Sequence, residues 1–264
     1  MRSALAKRAH PSGCALFVLL AAVFPALLLA APCPLPVVDE YATVRYVHDG
    51  DTLHLSDGRK IRLIGINTPE LGRDGLPAEP YAAEARQFVR QQLPVGHRIG
   101  LIYGVERYDS YGRMLAHIVL GDGQSLNQRM LERGYAQYIA VPPNLRLLDC
   151  YRQAEQQARK EKLGVWQQEY HRVLHRENVS GKERGFHIVR GRIIRVGESK
   201  KHIWLNLDGP IALRIRRSDL HYFTVSDWSS LRGREVEARG WIHQHKDQLQ
   251  LGIQHPAGLV YLDK

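Results

Sequence analysis

Five short β-rich runs lie on each side of a charged, aperiodic stretch, and this pattern limits what the chain can become. The first five are Thr43 to His48, Thr52 to Ser56, Arg59 to Ile66, Arg98 to Tyr103 and Met114 to Leu120. Asp57-Gly58, between the second and third, is a hairpin signal. Helical patterns interrupt them. Glu79 to Leu93 is stopped by Pro94, Ser125 to Arg133 is capped by Ser125 and closed by Gly134, and a third runs from a cap at Asn144 to Lys162. Strands and helices in this order predict a small barrel with helices packed round it. Residues 170–185 are charged and without clean periodicity, so they read as a linker. Then follow His187 to Val196, His202 to Leu207, Ile211 to Arg216, Glu235 to His243 and Gln248 to Ile253. These predict a second small barrel of the OB type. The expected fold is therefore mainly β with α, with domains at 38–169 and 186–264.

The first 31 residues read as targeting rather than fold. Arg2, Lys7 and Arg8 precede an apolar run from Cys14 to Ala31, broken by Pro25 and ending in Ala30-Ala31. That is the form of a secretory signal peptide; the competing reading is an uncleaved membrane anchor. Export to the periplasm or the medium is expected. The formal charge of the 264-residue chain is +10. The leader contains no acid and three cations, so cleavage lowers this to +7 and the basic balance survives. Such a balance suits a polyanionic partner. A hydrophobic content of 44% excludes global disorder. Cleavage also leaves two cysteines, Cys33 and Cys150. Export permits a disulfide between them. The helical pattern of Leu147, Tyr151, Ala154 and Ala158 favours Cys150 as a small core residue instead.

The chemistry concentrates in three segments: Asp49-Gly50-Asp51-Thr52, Arg62 through Glu70, and Asp109 through Arg113. Asp51 follows a tight bend at a strand start, and Thr68 and Glu70 follow the end of the next strand pair. A hairpin sets those two ends side by side. Asp51, Asn67 and the Thr68 carbonyl then offer oxygen ligands to a hard cation such as Ca²⁺. Glu70 can orient or deprotonate a water, and Arg62 and Arg113 can hold a phosphate. Each piece taken singly also fits an ordinary turn or an exposed charge.

In order, the segments resemble the signature of the staphylococcal nuclease-like (thermonuclease) family. The resemblance runs from about Tyr41 to Trp166 and includes Tyr111-Gly112-Arg113 and the stretch Lys160 to Trp166. It implies a five-stranded OB-like barrel with three helices and calcium-dependent cleavage of DNA or RNA that leaves 3′-phosphates. It also implies roles: Asp51 and the Thr68 carbonyl as metal ligands, Glu70 as general base, Arg62 and Arg113 on the phosphate, and Tyr111 beside the nucleotide. Asn67 stands where the family has a second aspartate, and Ser110 where its best-known member has a lysine. The tyrosines that flank the base in that member have no counterpart around Ala140 to Pro143.

In the second predicted barrel Ile203, Leu205 and Leu207 alternate with His202, Trp204 and Asn206. With the aliphatic faces inward, Trp204, Arg214 and Arg216 point outward. This is either a stacking-and-charge platform for nucleic acid or a solvated face with Trp204 packed on the rest of the chain. The pairs His171/His175 and His243/His245 lack further metal ligands at suitable spacing and read as surface. The leading expectation is an exported Ca²⁺-dependent nuclease acting on DNA or RNA, with no stable protein partner implied. Two readings compete with it: a non-catalytic nucleic-acid-binding protein, and a cell-envelope interaction module.

Overall fold

A computed structural model describes residues 33–263 apart from 73, 74, 76, 168–172, 182 and 247. The expected leader, residues 1–31, lies outside the described residues, as does His171. In the first half, strands β1 (Glu40–Val47), β2 (Thr52–Leu55) and β3 (Lys60–Leu63) form a meander, and β4 (Ile66–Asn67) follows. Helix α1 (Ala82–Gln92), β5 (Arg98–Tyr108), β6 (Met114–Val119), α2 (Leu126–Glu132), β7 (Gln137–Tyr138) and α3 (Leu148–Lys160) complete it. In the second half come β8 (Leu174–His175), β9 (Gly185–Glu198), β10 (His202–Leu207), β11 (Ile211–Arg216), β12 (Glu235–His245), β13 (Gln248–Ile253) and β14 (Leu259–Tyr261).

Period-two patterning builds two closed barrels. The first closes as β1-β2-β3-β6-β5, with β3 and β6 parallel and the other neighbours antiparallel. Val44, Leu53, Ile61, Leu63, Leu101 and Ile118 fill it and are fully buried. Each such side chain contributes roughly 1.5–3 kcal/mol through burial. The second closes as β9-β10-β11-β13-β12 and back to β9, with β11 and β13 parallel. Ile193, Ile203, Leu205, Leu213, Ile215 and Val236 are in its core. Numbered within itself, each barrel has the circular order 1-2-3-5-4, the Greek-key closure of an OB fold.

The expected strands form with ends shifted by a few residues, except that the run from Arg59 to Ile66 divides at a turn into β3, in the barrel, and β4, which pairs with β7. Other local expectations change as well. Asn144 does not cap α3: its amide bonds both the N–H and the carbonyl of Glu106, tying a loop to β5 while the helix begins at Leu148. Ser125, by contrast, caps α2 by accepting from Gln128 N–H at 3.2 Å. Cys150 is not a bare core residue. It sits at the edge of the buried α3 face and forms a disulfide with Cys33, closing a separation of 117 residues. Within the stretch read as a linker, β8 pairs in parallel with β9.

A nearly dry polar seam joins the barrels. Arg239 of β12 is 2.8 and 3.0 Å from the two carboxylate oxygens of Glu155 on α3, and it donates to the Tyr138 carbonyl at 3.2 Å. Its guanidinium carbon lies 3.7 Å from the centroid of the Tyr138 ring. The Tyr138 hydroxyl donates to the Ala257 carbonyl, and its N–H to Glu155 at 2.6 Å. Beside it, Arg159 makes a two-pronged pair with Glu237 at 2.7 and 2.9 Å, and Arg190 adds a third bond at 2.8 Å. Buried carboxylates are tolerable only when so paired. Burial pushes the Glu155 carboxyl up despite Arg239. Burial also opposes ionisation of Glu237, but Arg159, Arg190 and Arg239 outweigh it and hold the carboxyl down at about 2.

Candidate active site

Three connections meet at one end of the first barrel: β1 to β2, β3 onward through β4, and β5 to β6. They carry Asp49 to Asp51, Asn67 to Glu70, and Asp109 to Arg113. The barrel topology thus gathers the three sequence segments. Gly50 makes the closest contact possible, because a Cβ there would lie 2.7 Å from the Thr68 methyl carbon. β4 pairs with β7 through Asn67 and Gln137, which anchors the second segment.

Asp51 is the hub and is buried. One of its carboxylate oxygens accepts from the N–H and the hydroxyl of Thr68, both at 3.1 Å, and stands 3.1 Å from the Arg62 guanidinium. Its other oxygen accepts from the Thr52 hydroxyl at 3.1 Å. Arg62 is committed inward: one terminal nitrogen donates to the carbonyls of Leu63 and Ile66 at 2.6 and 2.8 Å. Those bonds fold the chain after β3 back over the site. The other terminal nitrogen reaches Asn67 Oδ1 at 3.5 Å, while Asn67 Nδ2 lies 3.4 Å from the Thr68 carbonyl.

Arg113 is more open. Its Nε donates to Asp109 at 2.7 Å and one terminal nitrogen donates to the Thr52 hydroxyl at 3.3 Å. Asp109 also accepts from the N–H groups of Tyr111 and Arg113, each at 2.9 Å, so one carboxylate shapes the turn and aims the guanidinium. Partial burial works against ionisation of Asp109, yet these bonds hold its carboxyl below the usual range. Tyr111 projects into solvent, 83% exposed, with its ring 5.5 Å from the Arg113 guanidinium carbon.

Glu70 lies at the rim and is exposed. Its backbone is held to residue 79: the Glu70 N–H donates to the Glu79 carboxylate and the Glu79 N–H to the Glu70 carbonyl, both at 2.9 Å. Crowding by the surrounding loop raises the Glu70 carboxyl, and the negative charges of Asp51, Asp49 and Glu79 raise it further. Burial and Asp51 likewise raise Asp49, whose carboxylate accepts from the Asp51 N–H at 2.9 Å. A rim carboxyl pushed upward by like charges is suited to taking a proton.

The donor set facing this end is entirely oxygen: the carboxylates of Asp51 and Asp49, the Asn67 amide, and the Thr68 carbonyl. That chemistry fits a hard divalent cation. Among the described residues no group of three or more His, Cys, Asp or Glu side chains converges on one point. Asn67 contributes an amide rather than a carboxylate to this set. Its nitrogen faces Thr68, so ligation through Oδ1 requires turning the amide over.

The structure brings together Asp51, Arg62, Asn67, Thr68, Glu70 and Arg113, with Tyr111 beside them. Trp204, Arg214 and Arg216 stand elsewhere, on the outer face of β10 and β11. Trp204 pairs across the ladder with Arg214, and His202 with Arg216. Arg216 is also ion-paired with Asp219 at 2.8 Å. His243 and His245 are exposed on β12. The sequence pointed to the segments that hold Asp49, Thr52 and Asp109 but gave these three supports no role of their own. The Asp-Gly-Asp-Thr and Asp-Ser-Tyr-Gly-Arg runs held the signal, since an aspartate two residues before a turn commonly accepts from its backbone.

The family model for staphylococcal nuclease homologues matches residues 60–168, which excludes everything from β8 onward. The thermonuclease of Staphylococcus intermedius is 36% identical over 127 residues, 47% of this chain and 74% of that protein. The thermonuclease of Staphylococcus hyicus is 33% identical over 129 residues, 48% of this chain and 75% of that protein. Endonuclease YncB of Bacillus subtilis is 32% identical over 123 residues, 45% of this chain and 57% of that protein.

Proposed function

Because this chain belongs to the staphylococcal nuclease homologue family, we propose that it is an exported, calcium-dependent nuclease that hydrolyses phosphodiester bonds of DNA or RNA. The observation that carries the reading is the Asp51 hub, which links Arg62, Thr68 and, through Thr52, Arg113 into one polar cluster. Asp51, the Asn67 amide oxygen and the Thr68 carbonyl are the ligands proposed for Ca²⁺. When bound, the cation supplies charge stabilisation to the phosphoryl oxygens.

Glu70 takes a proton from the attacking water, whose oxygen forms the new bond to phosphorus. Arg113 presents the unbonded edge of its fork to the non-bridging oxygens as their charge grows. Arg62 adds positive charge and holds the loop that carries Asn67. The bond to the 5′ oxygen breaks, the leaving oxygen takes a proton from solvent, and a 3′-phosphate remains; cutting within strands is proposed with it. Tyr111, exposed beside Arg113, is proposed to pack against the bound nucleotide. Trp204, Arg214 and Arg216 are proposed to hold more of the substrate on the second barrel, since strands two and three of OB barrels commonly bind oligonucleotides. The proposed units are 38–169 and 186–264, joined by 170–185. The disulfide supports export, since such bonds persist in oxidising compartments. Among the described residues no helix is long and apolar enough to cross a membrane.

The test is hydrolysis of plasmid, single-stranded DNA and RNA, with calcium or with chelator. The protein cuts only with calcium. Glu70→Gln and Arg113→Ala each lower the rate by about 10²-fold or more. Undiminished cutting by Glu70→Gln removes the base assignment.

A further inference from the structure

The outer surface of β1, β2 and β3, beside the catalytic end, carries three rings in mutual contact. Tyr46 stands edge-on to His54 and His48, with centroids 5.7 and 6.3 Å apart. His48 and His54 are stacked at 5.9 Å. The ladder fixes where they are. His54 pairs with Tyr46 on one side and Lys60 on the other, while Thr52, two residues earlier on the same face, pairs with Arg62. The row Tyr46-His54-Lys60 is therefore one two-residue step, about 7 Å, from the row that meets Arg113.

This face is open and cationic. Tyr46 is 40% exposed and the His48 side chain 53%. The Arg90 guanidinium carbon lies 5.8 Å from the Tyr46 ring centroid, and Arg45 and Lys60 are exposed alongside. Asp49, 4.0 Å from His48, is the carboxylate that contacts the group and belongs to the catalytic end. A solvent-facing sheet needs only polar residues, so contacting rings among cations leave π-faces ready for planar ligands.

The second barrel repeats the arrangement. The first residue of its second strand, His202, pairs with Arg216 as Thr52 pairs with Arg62. The third, Trp204, pairs with Arg214 as His54 pairs with Lys60. At equal positions, each barrel sets a ring against a cation on the face that OB folds commonly use for oligonucleotides.

We infer that the β1-β2-β3 face of the first barrel is a subsite for single-stranded nucleic acid leading into the catalytic end. Tyr46, His48 and His54 stack bases, and Arg45, Lys60 and Arg90 neutralise the backbone. The inference rests on the nuclease reading. Duplex bases are already stacked on each other, so the face selects unpaired strands.

The test compares binding of a single strand of about twelve nucleotides, by fluorescence anisotropy without calcium, with hydrolysis of that strand and of a dinucleotide. Tyr46→Ala/His54→Ala raises Kd and KM for the long strand at least tenfold, given stacking energies of this class. It leaves kcat and dinucleotide hydrolysis within about twofold. Tyr46→Phe keeps the ring and binds like the wild type. Lys60→Ala lowers the slope of log affinity against log salt by about 1. Unchanged long-strand binding by the double variant, in a protein that cuts, overturns the subsite alone. An equal loss on the dinucleotide also overturns it, by showing a role in the catalytic end. A wild type that neither binds nor cuts fails the nuclease reading and this inference with it.

Discussion

The two barrels share one strand order and one parallel pairing, yet among the described residues the first alone gathers carboxylates, an amide and two arginines at its loop end. In the first, the connections after strands one, three and four hold Asp49 and Asp51, Asn67 through Glu70, and Asp109 through Arg113. In the second, the corresponding connections are Ser199 to Lys201, the 3₁₀ turn at Arg217–Tyr222, and the turn at Lys246. The described residues there are mostly cationic or hydroxylic. A barrel of this kind is thus a mount, and the loops decide what is mounted. The first barrel carries a chemistry-bearing end, whereas the second presents rings and cations and grips the first through Arg239 and Glu237.

That contrast can be broken by attacking the seam. Arg239→Ala strands the buried Glu155 carboxylate and should cost about 3–5 kcal/mol of stability in denaturant unfolding, whereas Arg239→Met/Glu155→Met recovers much of the loss. If both variants unfold like the wild type, the barrels are not coupled through this pair. A somewhat smaller effect should follow from opening the disulfide. Cys33→Ser/Cys150→Ser should lower stability by about 2–5 kcal/mol. The loss belongs to the first barrel, since both cysteines lie against its core.

The seam also titrates. The Glu237 carboxyl is held down at about 2 from an ordinary 4.5. Its stabilisation is therefore complete above about pH 4.5 and is lost as pH falls toward 2. The contribution is roughly 3 kcal/mol. Glu155 is raised by burial and has the opposite slope, so the clean readout is the difference between wild type and Glu237→Gln. That difference should shrink between pH 4.5 and 2; a constant difference would remove the linkage.

Much of this was legible from sequence because period-two patterning survives wherever a strand has one buried face. Ile203, Leu205 and Leu207 show this, as do the matching bounds of β10, β11 and β13. The candidate site was legible because its residues lie in three short runs at strand ends. What stayed hidden depends on distant partners. Asn144 has the chemistry of a helix cap, but Glu106 claims its amide. Cys150 fits a helix face, but Cys33 reaches it from 117 residues away. Arg239 and Glu155 look like ordinary strand and helix charges until the barrels meet. Arg62 likewise shows its inward bonds to Leu63 and Ile66 only once the loop is folded.

Asn67 carries the sharpest form of the comparison, since it separates a working cation site from a set of well-placed oxygens. The decisive measurement is the rate of single-strand cleavage as a function of calcium for the wild type and Asn67→Asp. The wild type should cut with calcium. The aspartate should shift the half-saturating calcium concentration down about tenfold, because an added carboxylate strengthens a hard-cation site. Cleavage that ignores calcium, or a midpoint that the aspartate leaves in place, would contradict the assignment of this end as the metal-assisted nuclease site.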